Sequence, residues 1–455
     1  MDNDFVILVY LTLVVPAFMA VCVAIHIIRR TGSILNFRSM LIINYVLVTQ
    51  ISGIIHLLEI PGASRGYFDL AASIEPHSLV NPVMGSTLGL TALCLACVRG
   101  LSNSAVPTRL REPKRSWITN GERRAAWLFS LTMLPLTLFS IFQIQGYVRD
   151  IDTARVISVA EGYARYSFIS GWFVWVVSFA AIALVSGRFG QSRLFVLIVA
   201  ASSMIAIVLS LAWSGGRTVI IVMALPLLLV LLPKLNGVRW LALPAAVMAA
   251  VSYILSATEA RAISSGGQLA TWLDWEWGRF SLMGLADAHV DEHGFLYGET
   301  FLAGITNVLF GALRLVGVGI PNPPLRMSMN ITGEELLNSS SAIHIVPGLT
   351  AELYMNFGLI GIIIGYYSLG RITSWVDAQY DKAPGAILRL AFAYLGTLLV
   401  FRTVSADSGA IYGYLLYTGL PLIALGVYSG LVRRRIRRHA KSPSNDILHK
   451  QPQHP

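Results

Sequence analysis

Residues 194–233 read LFVLIVAASSMIAIVLSLAWSGGRTVIIVMALPLLLVLLP, and Arg217 is the only charged side chain among them. A helix needs about 20 predominantly apolar residues to cross the ~30 Å hydrocarbon core of a bilayer. This stretch is about twice that long and is divided once, by Ser-Gly-Gly-Arg217. It reads as two spans, 194–213 and 218–233, joined by a tight turn. Back-to-back spans with so little charge have no place in a soluble fold.

The rest of the chain agrees. It has 455 residues, 55% hydrophobic and 13% charged, with a mean hydropathy of +0.65. Soluble domains carry about 25% charged residues. A cytosolic enzyme, a secreted disulfide scaffold, a disordered protein and a nucleic-acid binder are all excluded as readings. Further apolar runs at 5–28, 39–58, 78–98, 125–145, 167–187, 240–257, 347–370, 386–401 and 411–432 bring the expectation to eleven spans. The first run lacks a basic leader and a small-residue cleavage site, so it is expected to stay in the mature chain. The expected fold is an all-α polytopic membrane protein. Residues 1–257 hold spans one to eight, 258–346 form one long loop, 347–432 hold spans nine to eleven, and 433–455 form a basic tail. Cys22, Cys94 and Cys97 all lie in apolar runs, which argues for helix packing rather than disulfides.

Orientation follows the basic residues. Of the 34 Lys and Arg, 24 fall on one side of the eleven-span map, including the tail cluster Arg433–Arg438. That side is read as cytoplasmic. The N-terminus and the 258–346 loop are then periplasmic, and the tail is inside. Nineteen of the 24 Asp and Glu fall outside. All five lysines are inside, so every outer basic residue is an arginine. Arginine suits two-point binding of phosphate or carboxylate; general arginine usage in the chain accounts for the same pattern equally well. Residues 301–320 approach span length, but a span there would put the Arg433–Arg438 cluster outside. They are expected to be interfacial or re-entrant.

Within the long loop, 268–283 carries Trp272, Trp275, Trp277 and Phe280, which suits an amphipathic helix on the membrane surface. Pro321, Pro323 and Pro324, followed by a serine run after Asn338, point to irregular structure in its second half. Ionisable residues are scarce at mid-depth, which disfavours an ion-coupled transporter. Polar residues collect instead at the outer boundary. Gly215 and Gly216 permit close backbone approach, and the helix start beyond them can bind an anion together with Arg217. A plain turn with an arginine at headgroup depth reads as well on spacing alone. Arg261, Arg279 and Arg402 lie at the same depth, as do Glu352 and Asp407.

The pattern Gly-Glu-Thr300…Ile320-Pro321…Ser-Ala-Ile-His344…Glu352-Leu-Tyr-x-Asn-Phe-Gly-x-x-Gly361 resembles the Wzy-type oligosaccharide repeat-unit polymerases of bacterial surface polysaccharides, including O-antigen polymerases. The Ser-Gly-Gly-Arg element before a span is similar to theirs too. The layout covers the whole chain and the motifs about a quarter of it. O-antigen ligases carry a histidine in the same loop at a shorter spacing than His344 to Gly358, so they match less well. The resemblance implies a membrane glycosyltransferase of GT-C-like architecture in the bacterial inner membrane. Its donor and acceptor would be glycans linked to undecaprenyl pyrophosphate, and a chain-length-regulating copolymerase would be a partner. It also implies chemistry without metal or cofactor. Arg217, Arg261, Arg279 and Arg402, with Gly215 and Gly216, would bind pyrophosphate, and His344, Glu352 or Asp407, in that order, would take the acceptor proton. The alternative function is a polysaccharide flippase or exporter.

Two metal patterns compete with this reading. His289-Val-Asp-Glu292-His293 has the H-x-x-E-H spacing of a zinc protease, with Glu352 a conceivable third ligand. Gly294 should end the helix there, and no protease domain surrounds the pattern. Asp150-Ile-Asp152 resembles a metal-holding aspartate pair, but such pairs are common in solvated loops. Neither is taken as a site.

Overall fold

The computed structural model describes residues 3–33, 35–57, 80–102, 120–144, 164–186, 198–205, 207, 217–231, 279–315, 318, 321, 325–337, 346–383 and 385–428. Among these the chain is all-helical, without a strand. In order it forms α1 (Asn3–Thr31), α2 (Phe37–Tyr45), α3 (Ser52–Leu57), α4 (Val80–Ser102), α5 (Asn120–Ile144), α6 (Ala164–Ser186), α7 (Arg217–Leu231), α8 (Phe280–His293), α9 (Glu299–Leu315), α10 (Ser328–Leu337), α11 (Leu349–Lys382), α12 (Ala386–Phe401) and α13 (Ser408–Gly413). Two π-helical turns, Val46–Ile51 and Tyr414–Gly419, continue α2 and α13.

Among the described residues, five helical stretches are long and apolar enough to cross a membrane: Leu11–Thr31, Phe37–Ile54, Val80–Leu101, Leu349–Lys382 and Ser408–Tyr428. Shorter apolar helices lie at Gly171–Ala183 and Ala386–Phe401. The outward side chains of these helices are apolar, with Phe18 at 69% exposure on α1 and Ile360 at 69% on α11. Water would penalise such a surface and lipid would not. The expected span 240–257, the tail and the tryptophans of 268–278 lie outside the described residues.

The chain divides into two units. The first comprises residues 1–112, 217–382 and 392–416, and its centre is α11 packed along α4. Small residues permit that approach. A Cβ on Gly370 would meet the Ala96 methyl at 2.7 Å, and one on Gly89 would meet the Tyr366 ring at 3.0 Å. Tyr45 and Tyr366 meet edge to face at 4.7 Å between ring centres. At one end of this unit Asn36 caps α2, its side-chain oxygen accepting from the Arg38 and Ser39 amides. Asp377 of α11 takes the Phe37 amide at 3.0 Å and the Arg38 guanidinium at 2.8 Å. Both charged side chains are nearly inaccessible, 4% and 6% exposed, so each needs the other.

The second unit comprises residues 113–216, 383–391 and 417–455. In it α5 and α6 meet through Phe129 and Phe179, edge to face at 5.9 Å. The Trp172 and Trp175 indoles donate to the carbonyls of Tyr417 and Thr418, which belong to the π turn.

Candidate functional site

The site begins with a break in α11. Gly358 adopts φ +63° and ψ −155°, a conformation open to glycine and strained for other residues. The carbonyls of Met355 and Asn356 accept instead from the Leu296 amide (3.0 Å) and the Tyr297 amide (3.1 Å). Asn356 completes the join. Its side-chain oxygen accepts from the Gly298 amide at 2.8 Å, and its Nδ2 donates to the Thr300 hydroxyl and the Glu352 carbonyl, both at 2.7 Å. Gly-Glu-Thr300 and Asn356-Phe-Gly358, two separate pieces of the motif, are thus one hydrogen-bonded knot. Gly358 lies within the apolar stretch Leu349–Lys382 and midway along the expected span 347–370.

On the short helical segment before the break, Glu352 is fully buried. One carboxylate oxygen accepts the Ser408 amide at 2.7 Å and the other the Ser408 hydroxyl at 2.6 Å. Ser408 is the first residue of α13, so the carboxylate sits at the positive end of a helix. Asp407 caps the same helix. Its Oδ1 accepts from the Ala410 amide at 2.9 Å, and its Oδ2 lies 3.5 Å from the Ser328 hydroxyl. Burial pushes the Asp407 carboxyl above the ordinary range, against the opposing pull of the Ala410 amide, Ser328 and the charge of Arg402. Helix α9 closes over this end at Gly304, where a Cβ would meet the Gly409 amide nitrogen and the Ser408 hydroxyl at 2.9 Å.

Arg402 and Arg279 lie on the same turn. Arg402 donates from Nη2 to the Tyr414 hydroxyl at 2.5 Å, and its guanidinium lies 4.5 Å over the Tyr414 ring. Its Nε is buried without a hydrogen-bond partner. Arg279 donates from Nε to the Ser405 carbonyl at 3.1 Å. Gly348, at φ +82°, lets the chain pass against the Val404 carbonyl, which a Cβ would approach to 2.8 Å. The segment from Arg402 to Ser408 is therefore gripped by Glu352, Arg279, Ser328 and Gly348 together.

Of the residues chosen from the sequence, Glu352, Asp407, Arg279 and Arg402 come together here. Arg217 opens α7, and its side chain lies outside the described residues, as do His344, Arg261, Gly215, Gly216, Asp150 and Asp152. Glu352 is not the third partner of the His289–His293 pair, because Ser408 occupies both its oxygens; Glu335 stands there instead, 2.6 Å from His289. Ser408 and Tyr414 escaped the sequence reading, and Asn356 stood in the quoted motif without a role. For Ser408 a signal existed: Asp407-Ser-Gly before an apolar run is a helix-start pattern. Comparison with known protein families, with curated proteins and with solved structures returned no match to this chain.

Proposed function

We propose that this chain is a membrane glycosyltransferase that polymerises undecaprenyl-pyrophosphate-linked repeat units at the periplasmic face of a bacterial inner membrane. In this reading it has eleven spans, a periplasmic N-terminus and a cytoplasmic tail. Two groupings support the assignment of these residues to common sides. Arg38 and Asp377, both on the inner side of the charge map, pair with each other at 2.8 Å. Arg279, Glu352, Arg402 and Asp407, all on its outer side, hold one turn.

The observation that carries the reading is the Arg402 guanidinium. It is fixed on Tyr414, close enough to the buried Asp407 carboxyl to act on its charge, in the turn that Glu352 and Asp407 order, and it keeps a buried Nε–H without an acceptor. A donor held this way is preorganised for a pyrophosphate oxygen. The acceptor sugar hydroxyl attacks the anomeric carbon of the donor glycan. The bond from that carbon to the pyrophosphate oxygen breaks, and undecaprenyl pyrophosphate leaves with the electron pair. Arg402 and Arg279, with Arg217 and Arg261, offset the charge that develops. His344 takes the hydroxyl proton, because Glu352 and Asp407 have oxygens committed to the Ser408 and Ala410 amides and act as positioning residues.

The break at Gly358 is the one feature that favours an exporter, since transporters use discontinuous helices at their sites. Against it, ionisable residues are scarce at mid-depth in the spans read from the sequence. Cells lacking the protein separate the two readings. A missing polymerase leaves single repeat units displayed on the outside; a missing exporter leaves none outside, and that outcome would sink the polymerase reading.

A further inference from the structure

Helix α8 ends on His289 and His293, one turn apart on the same face, their rings stacked at 4.7 Å with 16° between planes. Gly294, at φ +80°, stops the helix immediately after the second histidine. Glu335 reaches the pair from α10, with Oε1 2.6 Å from Nδ1 of His289 and 4.0 Å from Nδ1 of His293. One donor atom from each of the three side chains lies within 4.8 Å of the others. His289 is 2% exposed, and its Nε2 is buried without a partner. A simple His–Glu hydrogen bond accounts for the shortest contact. It does not account for a second imidazole stacked into the same cluster.

We infer that His289, His293 and Glu335 form a binding site for a zinc-class dication that fastens α8 to α10. Two imidazole nitrogens and one carboxylate oxygen are a common zinc donor set, with bonds of about 2.0–2.2 Å. Tetrahedral ligands at that distance stand about 3.3 Å apart, between the two measured separations, and the stacked rings turn toward each other when the ion binds. His293 is about half exposed, which leaves the fourth position to water. Magnesium and calcium prefer all-oxygen shells and are disfavoured. Glu292, which supplies the H-x-x-E-H spacing, is exposed and takes no part, so the site is a clamp and not a protease centre.

The test uses the full chain, purified in detergent on a histidine-free tag and stripped with chelator. Titration with zinc sulfate against a fluorescent chelator should give one tight site per chain. His289→Ala, His293→Ala and Glu335→Gln should each weaken it by about tenfold or more. Cobalt should give the visible absorption bands of a four-coordinate site in the wild type and not in the variants. His293→Ala removes an exposed side chain and should leave the gel-filtration profile unchanged, so loss of binding there is not a folding artefact. Zinc binding that all three substitutions leave intact, or no tight site in the wild type, overturns the inference. Because no glycan enters the measurement, its outcome is independent of the polymerase reading.

Discussion

Asp407 shows how one carboxyl can serve a fold and strain it together. As an N-cap it satisfies the Ala410 amide, and as a buried acid it resists ionisation. A carboxyl whose folded pKa is raised is favourable in its protonated form. That contribution is complete below the unfolded value of about 3.9 and is lost as pH rises through the raised folded value. Asparagine keeps the capping oxygen and drops the charge. Asp407→Asn should therefore gain melting temperature relative to wild type as pH is raised from about 4 to about 8, while Asp407→Ala, losing the cap, should lose about 0.5–2 kcal/mol throughout. Melting curves of purified protein at the two pH values decide it, and a difference between Asn and wild type that does not grow with pH would contradict the burial argument. At this scale the sequence was informative about depth and silent about partners. The sequence puts Arg279, Glu352, Arg402 and Asp407 near one expected boundary because apolar runs stop there. That Glu352 would hold Ser408, 56 residues away, leaves no local pattern to read.

At the scale of elements, α11 was legible as a span and illegible as a broken one. Glycine inside an apolar run is tolerated in a helix, so Gly358 gave no local reason to expect a break. The break exists because Leu296 and Tyr297 supply distant amides to the carbonyls it frees. The same holds for the loop. The prolines argued for irregular chain, yet α10 forms just beyond them at Ser328–Leu337. Residues 301–315 are helical, as part of α9, and pack on α13 at Gly304. The test of the break is a pair of glycines with positive φ. Gly294→Ala meets nothing within 4 Å and should cost only the strain of its backbone region (φ +80°, ψ −177°), roughly 1–3 kcal/mol. Gly358→Ala carries the same kind of backbone strain, and adds a contact at 3.1 Å with the Phe295 ring beside the hydrogen bonds of Met355 and Asn356 to Leu296 and Tyr297. Thermal unfolding in detergent should rank Gly358→Ala clearly below Gly294→Ala, and equal losses would mean that the knot at Gly358 is not a point of rigidity.

For the whole molecule, the sequence yields an expected side of the membrane for each loop, since charge asymmetry is a property of the entire chain. The eleven-span map makes 301–320 a non-spanning segment. The helix found there, α9, has 17 residues. At 1.5 Å per residue it rises about 26 Å, short of the ~30 Å core, and Glu299 and Asn307 lie along it. Its Gly304 face is covered by α13 rather than left to lipid. Single cysteines test this directly. The native Cys22, Cys94 and Cys97 lie in α1 and α4 and must first be replaced, Cys22 above all because it is exposed. With that background, cysteines at Ser265 and Ser339 should both react with an impermeant thiol reagent on whole cells, and one at Ser442 should react only after the cells are opened. Labelling at Ser265 without labelling at Ser339 would mean that α9 crosses the membrane. Glu352, Arg402 and Asp407 would then face the cytoplasm, and polymerisation at the outer surface would lose its site.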